Sequence, residues 1–146
     1  VSTIESIGIN GLRVDLSQRF ATSKTVVGSP AAASETIVCQ LAAISANPQV
    51  TSAVLIIAQV AYTVGTSGTA VTYRIRQGVA AGSGTAIFSS GATTAGITAA
   101  NLVVENIIAL DTAPTFPGQA YSLQLTVTGG AATSTVSAAQ MCAIII

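Results

Sequence analysis

Val54-Leu55-Ile56-Ile57-Ala58-Gln59-Val60-Ala61-Tyr62-Thr63-Val64 decides how this chain folds. Every even position in it is apolar: Val54, Ile56, Ala58, Val60, Tyr62 and Val64. The odd positions, Leu55, Ile57, Gln59, Ala61 and Thr63, mix apolar and polar side chains. Side chains point alternately to the two faces of a strand, so a period of two with one fully apolar face reads as a strand buried on that side. The half-apolar second face predicts a further cover, supplied by the chain or by a partner.

Gly65-Thr66-Ser67-Gly68 follows as a hairpin loop. The return strand, Val71-Thr72-Tyr73-Arg74-Ile75-Arg76, alternates strictly, with Val71, Tyr73 and Ile75 inward. Upstream, Gly28-Ser29-Pro30 is a turn signal, and a first core strand is expected over 34–44. Asn47-Pro48 ends it, because the residue before proline is pushed to extended or turn geometry. Downstream, a Gly/Ala/Ser loop from Gly78 to Gly84 leads to a short strand over 85–88. Leu102, Val104, Ile108 and Leu110 then mark a strand, with Val103, Glu105, Ile107 and Ala109 on its other face. After a loop holding Pro114 and Pro117, Tyr121, Leu123, Leu125 and Val127 alternate with polar residues, and Gly129-Gly130 turns the chain. Val136 to Ile146 closes the domain.

Residues 1–24 differ from the rest. Leu12-Arg13-Val14-Asp15-Leu16 alternates as a short strand, and Gly8 and Gly11 disfavour a helix there. We read residues 1–24 as an extended N-terminal arm and 25–146 as one domain. About eight strands, turn signals between them and no convincing helix predict an all-β fold, an antiparallel β-sandwich of jelly-roll type. No internal repeat suggests a solenoid or propeller. At 146 residues the chain is long enough to bury a core without crosslinks.

Composition points away from a free surface. Charged residues are 7% of the chain and the net charge is zero, against roughly a quarter charged in an average soluble protein. Glu5, Arg13, Asp15, Arg19 and Lys24 cluster at the start, leaving Glu35, Arg74, Arg76, Glu105 and Asp111 for everything after. A neutral surface rich in Thr, Ser and Ala suggests that much of it is covered in a symmetric assembly. Apolar stretches are broken by Gly, Ser, Thr and Pro, so no membrane-spanning helix is expected. Three Tyr, three Phe and no Trp argue against the aromatic girdles of a membrane barrel. The chain begins at Val1 with no signal peptide, so removal of an initiator Met or a longer leading segment is expected.

Candidate chemistry is sparse. There is no His, which excludes Ser-His-Asp and Cys-His sites and removes the usual general base. Cys39 and Cys142 do not make a zinc site; buried thiols and a bridge between the first and last core strands both fit the sequence. Gly78 to Gly84 lacks the lysine of a phosphate loop and reads as a hairpin loop. Glu105 and Asp111 share a strand parity, but six residues put them about 20 Å apart, too far for a glycosidase pair. Arg74 and Arg76 point the same way, about 7 Å apart. They suit an exposed strand face, a salt bridge to Glu105 or Asp111 across subunits, or an acidic partner. Zero net charge gives no support for nucleic-acid binding. No cofactor and no catalysis are expected. The apolar end Ile144-Ile145-Ile146 reads as central in a sheet or at an interface, since free ends otherwise fray. Candidate interface residues are Leu55, Ile57, Ala61, Arg74, Arg76, Ile144 and Ile146.

The run from Thr51 to Arg76, with its Gly65-Thr66-Ser67-Gly68 turn and Tyr73-Arg74-Ile75-Arg76, resembles small jelly-roll proteins of tailed-bacteriophage virions. Asp111-Thr112-Ala113-Pro114 and the run from Gly118 to Thr128 add to that resemblance, which covers roughly 30–146. It implies a trimeric capsid decoration, cement or head-fibre subunit in the virion, with residues 1–24 anchoring it to a capsid protein or a neighbour. Two other classes fit the residues: a secreted jelly-roll module binding carbohydrate or a cell surface, and a filament or surface-layer subunit joined by N-terminal strand addition.

Overall fold

The alternation of 54–64 is reproduced in the computed structural model, which describes residues 7–9, 12–14, 19–23, 34–44, 53–65, 69–92, 100–128 and 134–146. Val54, Ile56, Ala58, Val60, Tyr62 and Val64 are all buried, and the odd positions are half-buried or exposed. The strands are β1 (Ile7–Ile9), β2 (Leu12–Val14), β3 (Arg19–Ser23), β4 (Thr36–Ile44), β5 (Val54–Val64), β6 (Ala70–Gln77), β7 (Ala86–Ser89), β8 (Val103–Asp111), β9 (Gln119–Thr128) and β10 (Ser134–Ile145).

Two four-stranded sheets face each other, ordered β3-β10-β5-β8 and β4-β9-β6-β7. Every pairing in them is antiparallel. Four of the pairings nest: β3 with β10, β4 with β9, β5 with β8 and β6 with β7. That is one long hairpin of eight strands. It is rolled up by the two further pairings, β10 with β5 and β9 with β6. The result is the antiparallel β-sandwich of jelly-roll type expected from the sequence.

The core lies between the sheets. From the first come Ile56, Val60, Tyr62, Ile107, Met141 and Ala143; from the second come Leu41, Ile75, Tyr121, Leu123 and Leu125. Each fully buried Val, Leu or Ile contributes roughly 1.5–3 kcal/mol. Register shifts between Val136 and Ala138 in β10, and between Ile37 and Cys39 and between Leu41 and Ile44 in β4, interrupt the ladders as bulges do.

Two details differ from the sequence reading. β2 pairs with β1 in a separate two-stranded sheet, and the outer strand of the first sandwich sheet is β3 instead. Arg19-Phe20-Ala21-Thr22-Ser23 carries no alternating apolar pattern; its strand geometry comes from backbone pairing with β10. Residues 19–23, grouped with the arm by composition, are therefore hydrogen-bonded into the domain's own sheet. The second difference is in β8. Ile107 and Ala109 face the core, while Leu102, Val104, Ile108 and Leu110 are exposed. Both faces of that strand are apolar, so periodicity alone could not choose between them.

Candidate functional site

The two outer faces of the sandwich are unlike. On β4-β9-β6-β7, the central outward residues Ser122 and Gln124 of β9 are fully buried. The loop between β6 and β7 folds over them. Gln124 Nε2 donates to the Ala80 carbonyl at 3.0 Å and to Ser122 Oγ at 2.8 Å, and Gln124 Oε1 accepts from the Gly82 amide at 2.8 Å. Arg76 Nη1 ties the far end of the loop through the Gly84 carbonyl at 2.7 Å. Gly84 has φ +83°, and a Cβ there would overlap the Gln77 carbonyl, so the loop needs glycine at that point.

Arg76 also makes a two-pronged pair with Glu35, Nε to Oε1 at 2.8 Å and Nη2 to Oε2 at 3.0 Å. Arg74 approaches Glu35 at 3.6 Å. The Arg76 guanidinium holds the Glu35 carboxyl below the ordinary range; burial works against this and Arg74 adds to it. The acid facing the two arginines is thus Glu35 of the same chain, in place of the Glu105 or Asp111 considered from sequence.

Those two acids serve the sandwich interior. Glu105 accepts from Tyr73 Oη at 3.3 Å. Asp111 is buried and accepts from Tyr121 Oη at 2.9 Å, Gln77 Nε2 at 2.7 Å and the Ala113 amide at 3.0 Å. Burial and the adjacent Asp111 push the Tyr121 hydroxyl well above its usual range. Tyr62 is pushed up to about 12, first by burial and then by Glu105 and Tyr73. Each acid is held by its own tyrosine, which is a structural use. Among the described residues no group of three or more His, Cys, Asp or Glu could hold a metal ion. Cys39 and Cys142 are not bridged to each other.

The outer face of β10-β5-β8 is the open one. The register sets its side chains in rows across the sheet. Ile144, Leu55 and Leu110 form one row, and Cys142, Ile57 and Ile108 the next. Gln140, Gln59 and Asn106 form the third, and Ala138, Ala61 and Val104 the fourth. None of these residues is charged. Ile57 is 44% exposed, Ile108 68%, Leu110 48% and Val104 49%. These side chains form one contiguous exposed apolar surface. The third row is a hydrogen-bonded amide ladder: Gln140 Nε2 donates to Gln59 Oε1 at 3.1 Å, and Gln59 Nε2 donates to Asn106 Oδ1 at 2.8 Å.

Of the sequence candidates, Leu55, Ile57, Ala61 and Ile144 come together on this face. Ile146 lies just beyond it, paired through its backbone with Ala53, and is 46% exposed. Arg74 and Arg76 belong to the opposite sheet. Val104, Ile108 and Leu110 complete the face and are absent from the sequence candidates; their alternation is visible in the sequence but reads equally well as core.

No family model matches the chain, and no curated protein matches it. Solved structures do. A structure of infectious bursal disease virus, Gx strain, superposes with TM-score 0.56 at 14% identity, covering 95% of this chain and 37% of that one. One of the Gt strain gives 0.58 at 14% identity, covering 97% and 36%. The D431N mutant VP2 protein of the same virus, in derived T=1 particles, gives 0.56 at 13% identity, covering 97% and 36%. The structural neighbours are viral capsid proteins. At such identities the likeness is one of fold, and this chain spans just over a third of the length of the chains it matches.

Proposed function

We propose that this protein is a structural subunit of a virus particle, acting by self-association and without catalysis. The observation that carries this reading is the uncharged, largely apolar outer face of β10-β5-β8, beside an opposite face whose centre, at Ser122 and Gln124, is covered by the chain's own loop. A fold shared with viral capsid proteins supports it. In its finer form the protein is a trimeric decoration or cement subunit of a tailed-bacteriophage virion. Of residues 1–24, the part that precedes β3 attaches it to a capsid protein, and β1 and β2, a sheet separate from the sandwich, belong to that anchor.

Sedimentation against the 14.4 kDa monomer tests the assembly. A mass in multiples of three is expected, and a monomer at every concentration rejects the reading. Deletion of residues 1–18, which spares β3, should leave the oligomer intact and abolish binding to the particle.

A further inference from the structure

We infer that the open face of β10-β5-β8 binds the same face of a second copy, about a two-fold axis running along β5, with the amide ladder setting the orientation. This rests on the self-association proposed above and assigns it a surface and a symmetry; in a trimeric subunit the contact joins trimers in pairs.

The ladder is directional. Its two hydrogen bonds run from Gln140 through Gln59 to Asn106. Among the side chains that are described, nothing engages the Asn106 amide nitrogen or the Gln140 amide oxygen. Any chain of amides linked in this way ends in an unused donor on one side and an unused acceptor on the other. A partner covering the face must satisfy both, because burying an unpaired amide group is costly. A second copy does so when its ladder runs antiparallel to the first: Asn106 of each copy then meets Gln140 of the other, and six amides close into a ring.

The geometry that reverses the ladder also matches the rows. Rotation about an axis parallel to β5, in the plane between the two sheets, exchanges the β8 and β10 sides and keeps position along the strands. The rows of Leu55 and Ile57 therefore face the same rows of the other copy, and the row of Ala61 faces its own. Apolar meets apolar and amide meets amide. Rotation about an axis across the strands would set donor end against donor end. Packed sheets with strands within about 30° of each other, about 10 Å apart, accommodate the first arrangement. A contact in which one patch meets itself is isologous and closes without propagating into fibres. Across β10, β5 and β8 the face carries no charge to pair with a charged partner, and a second copy is neutral in the same places; Arg19 holds the next register position beyond Ile144, on β3 at the edge of the sheet.

Two experiments on the full chain test this. In a Cys142→Ser background the remaining native thiol, Cys39, is buried, so a cysteine introduced by Ala61→Cys is the one accessible thiol. A short bismaleimide should convert Ala61→Cys to a covalent dimer, and should leave Thr72→Cys, on the opposite sheet, uncrosslinked. Separately, Asn106→Asp and Gln140→Lys should each weaken association at least tenfold. The double variant should recover it, since the new carboxylate of one copy then faces the new ammonium of the other. Absence of the Ala61→Cys crosslink, or of rescue, in a protein that still self-associates overturns this contact alone. A protein monomeric at all concentrations overturns the parent reading as well.

Discussion

Ile57 and Ile108 lie directly opposite each other in the antiparallel register of β5 and β8, and both point away from the core. Cross-strand pairs of this kind normally stabilise a buried face. Here the pair sits on the outside of the sandwich, so its apolar surface is available to another molecule.

Ile57→Lys or Ile108→Lys should therefore disrupt assembly far more than folding. An exposed substitution usually moves stability by no more than about 0.5 kcal/mol. Thermal unfolding, compared at a dilution where both proteins are monomeric, should barely shift, while sedimentation at higher concentration moves to smaller species. Normal assembly of either variant would show that the face stays solvent-exposed when the protein associates.

Glu35 should produce an acid limb in the stability profile. Its folded pKa lies below the ordinary value of 4.5 because of Arg76. A lowered folded pKa means that this contribution is fully present above the unfolded value and is lost as pH falls through the folded one. Melting temperature should drop as pH decreases from about 4.5. Glu35→Gln should be less stable than wild type at neutral pH and show a shallower acid limb.

Asp111 holds one end of the sandwich by accepting from Tyr121, Gln77 and Ala113. Asp111→Ala leaves a buried tyrosine hydroxyl and an amide without their acceptor, at a cost of about 3 kcal/mol. Urea denaturation should show a lowered midpoint. Combining it with Tyr121→Phe should recover part of the loss, since one stranded donor is then removed.

Tyr62 presents the opposite case. Its Oη is buried with no hydrogen-bond partner among the described residues. Tyr62→Phe removes an unsatisfied group and keeps the ring in the core, so stability should stay level or rise by up to about 1 kcal/mol. A clear fall in chemical denaturation would mean that the hydroxyl is satisfied in solution.

Much of the fold is legible in local pattern. Strands β4 to β10 announce themselves by period-two apolarity or by turn residues at their ends, and β5 and β9 do so most clearly. β3 is not legible, because its five residues carry no periodic signal and become a strand only through the backbone of β10. The interface reading of Leu55 and Ile57 comes from an imperfect alternation. Val104, Ile108 and Leu110 are hidden by the opposite problem, since β8 is apolar on both faces and a period does not say which face is in.

The amino-acid sequence by itself determined the class of this protein: a charge-poor, histidine-free, all-β chain whose strands alternate between a core face and a softer one. Tertiary structure decided which residues share a face. Gln59 and Asn106 are 47 positions apart, and Glu35 and Arg76 are 41. Their meeting depends on strand order and register, which are settled by long-range pairing of backbone groups that every residue carries alike. Side-chain periodicity is local and survives in the sequence; the choice of neighbour is collective, and so the amide ladder and the open face appear only in the folded sheet.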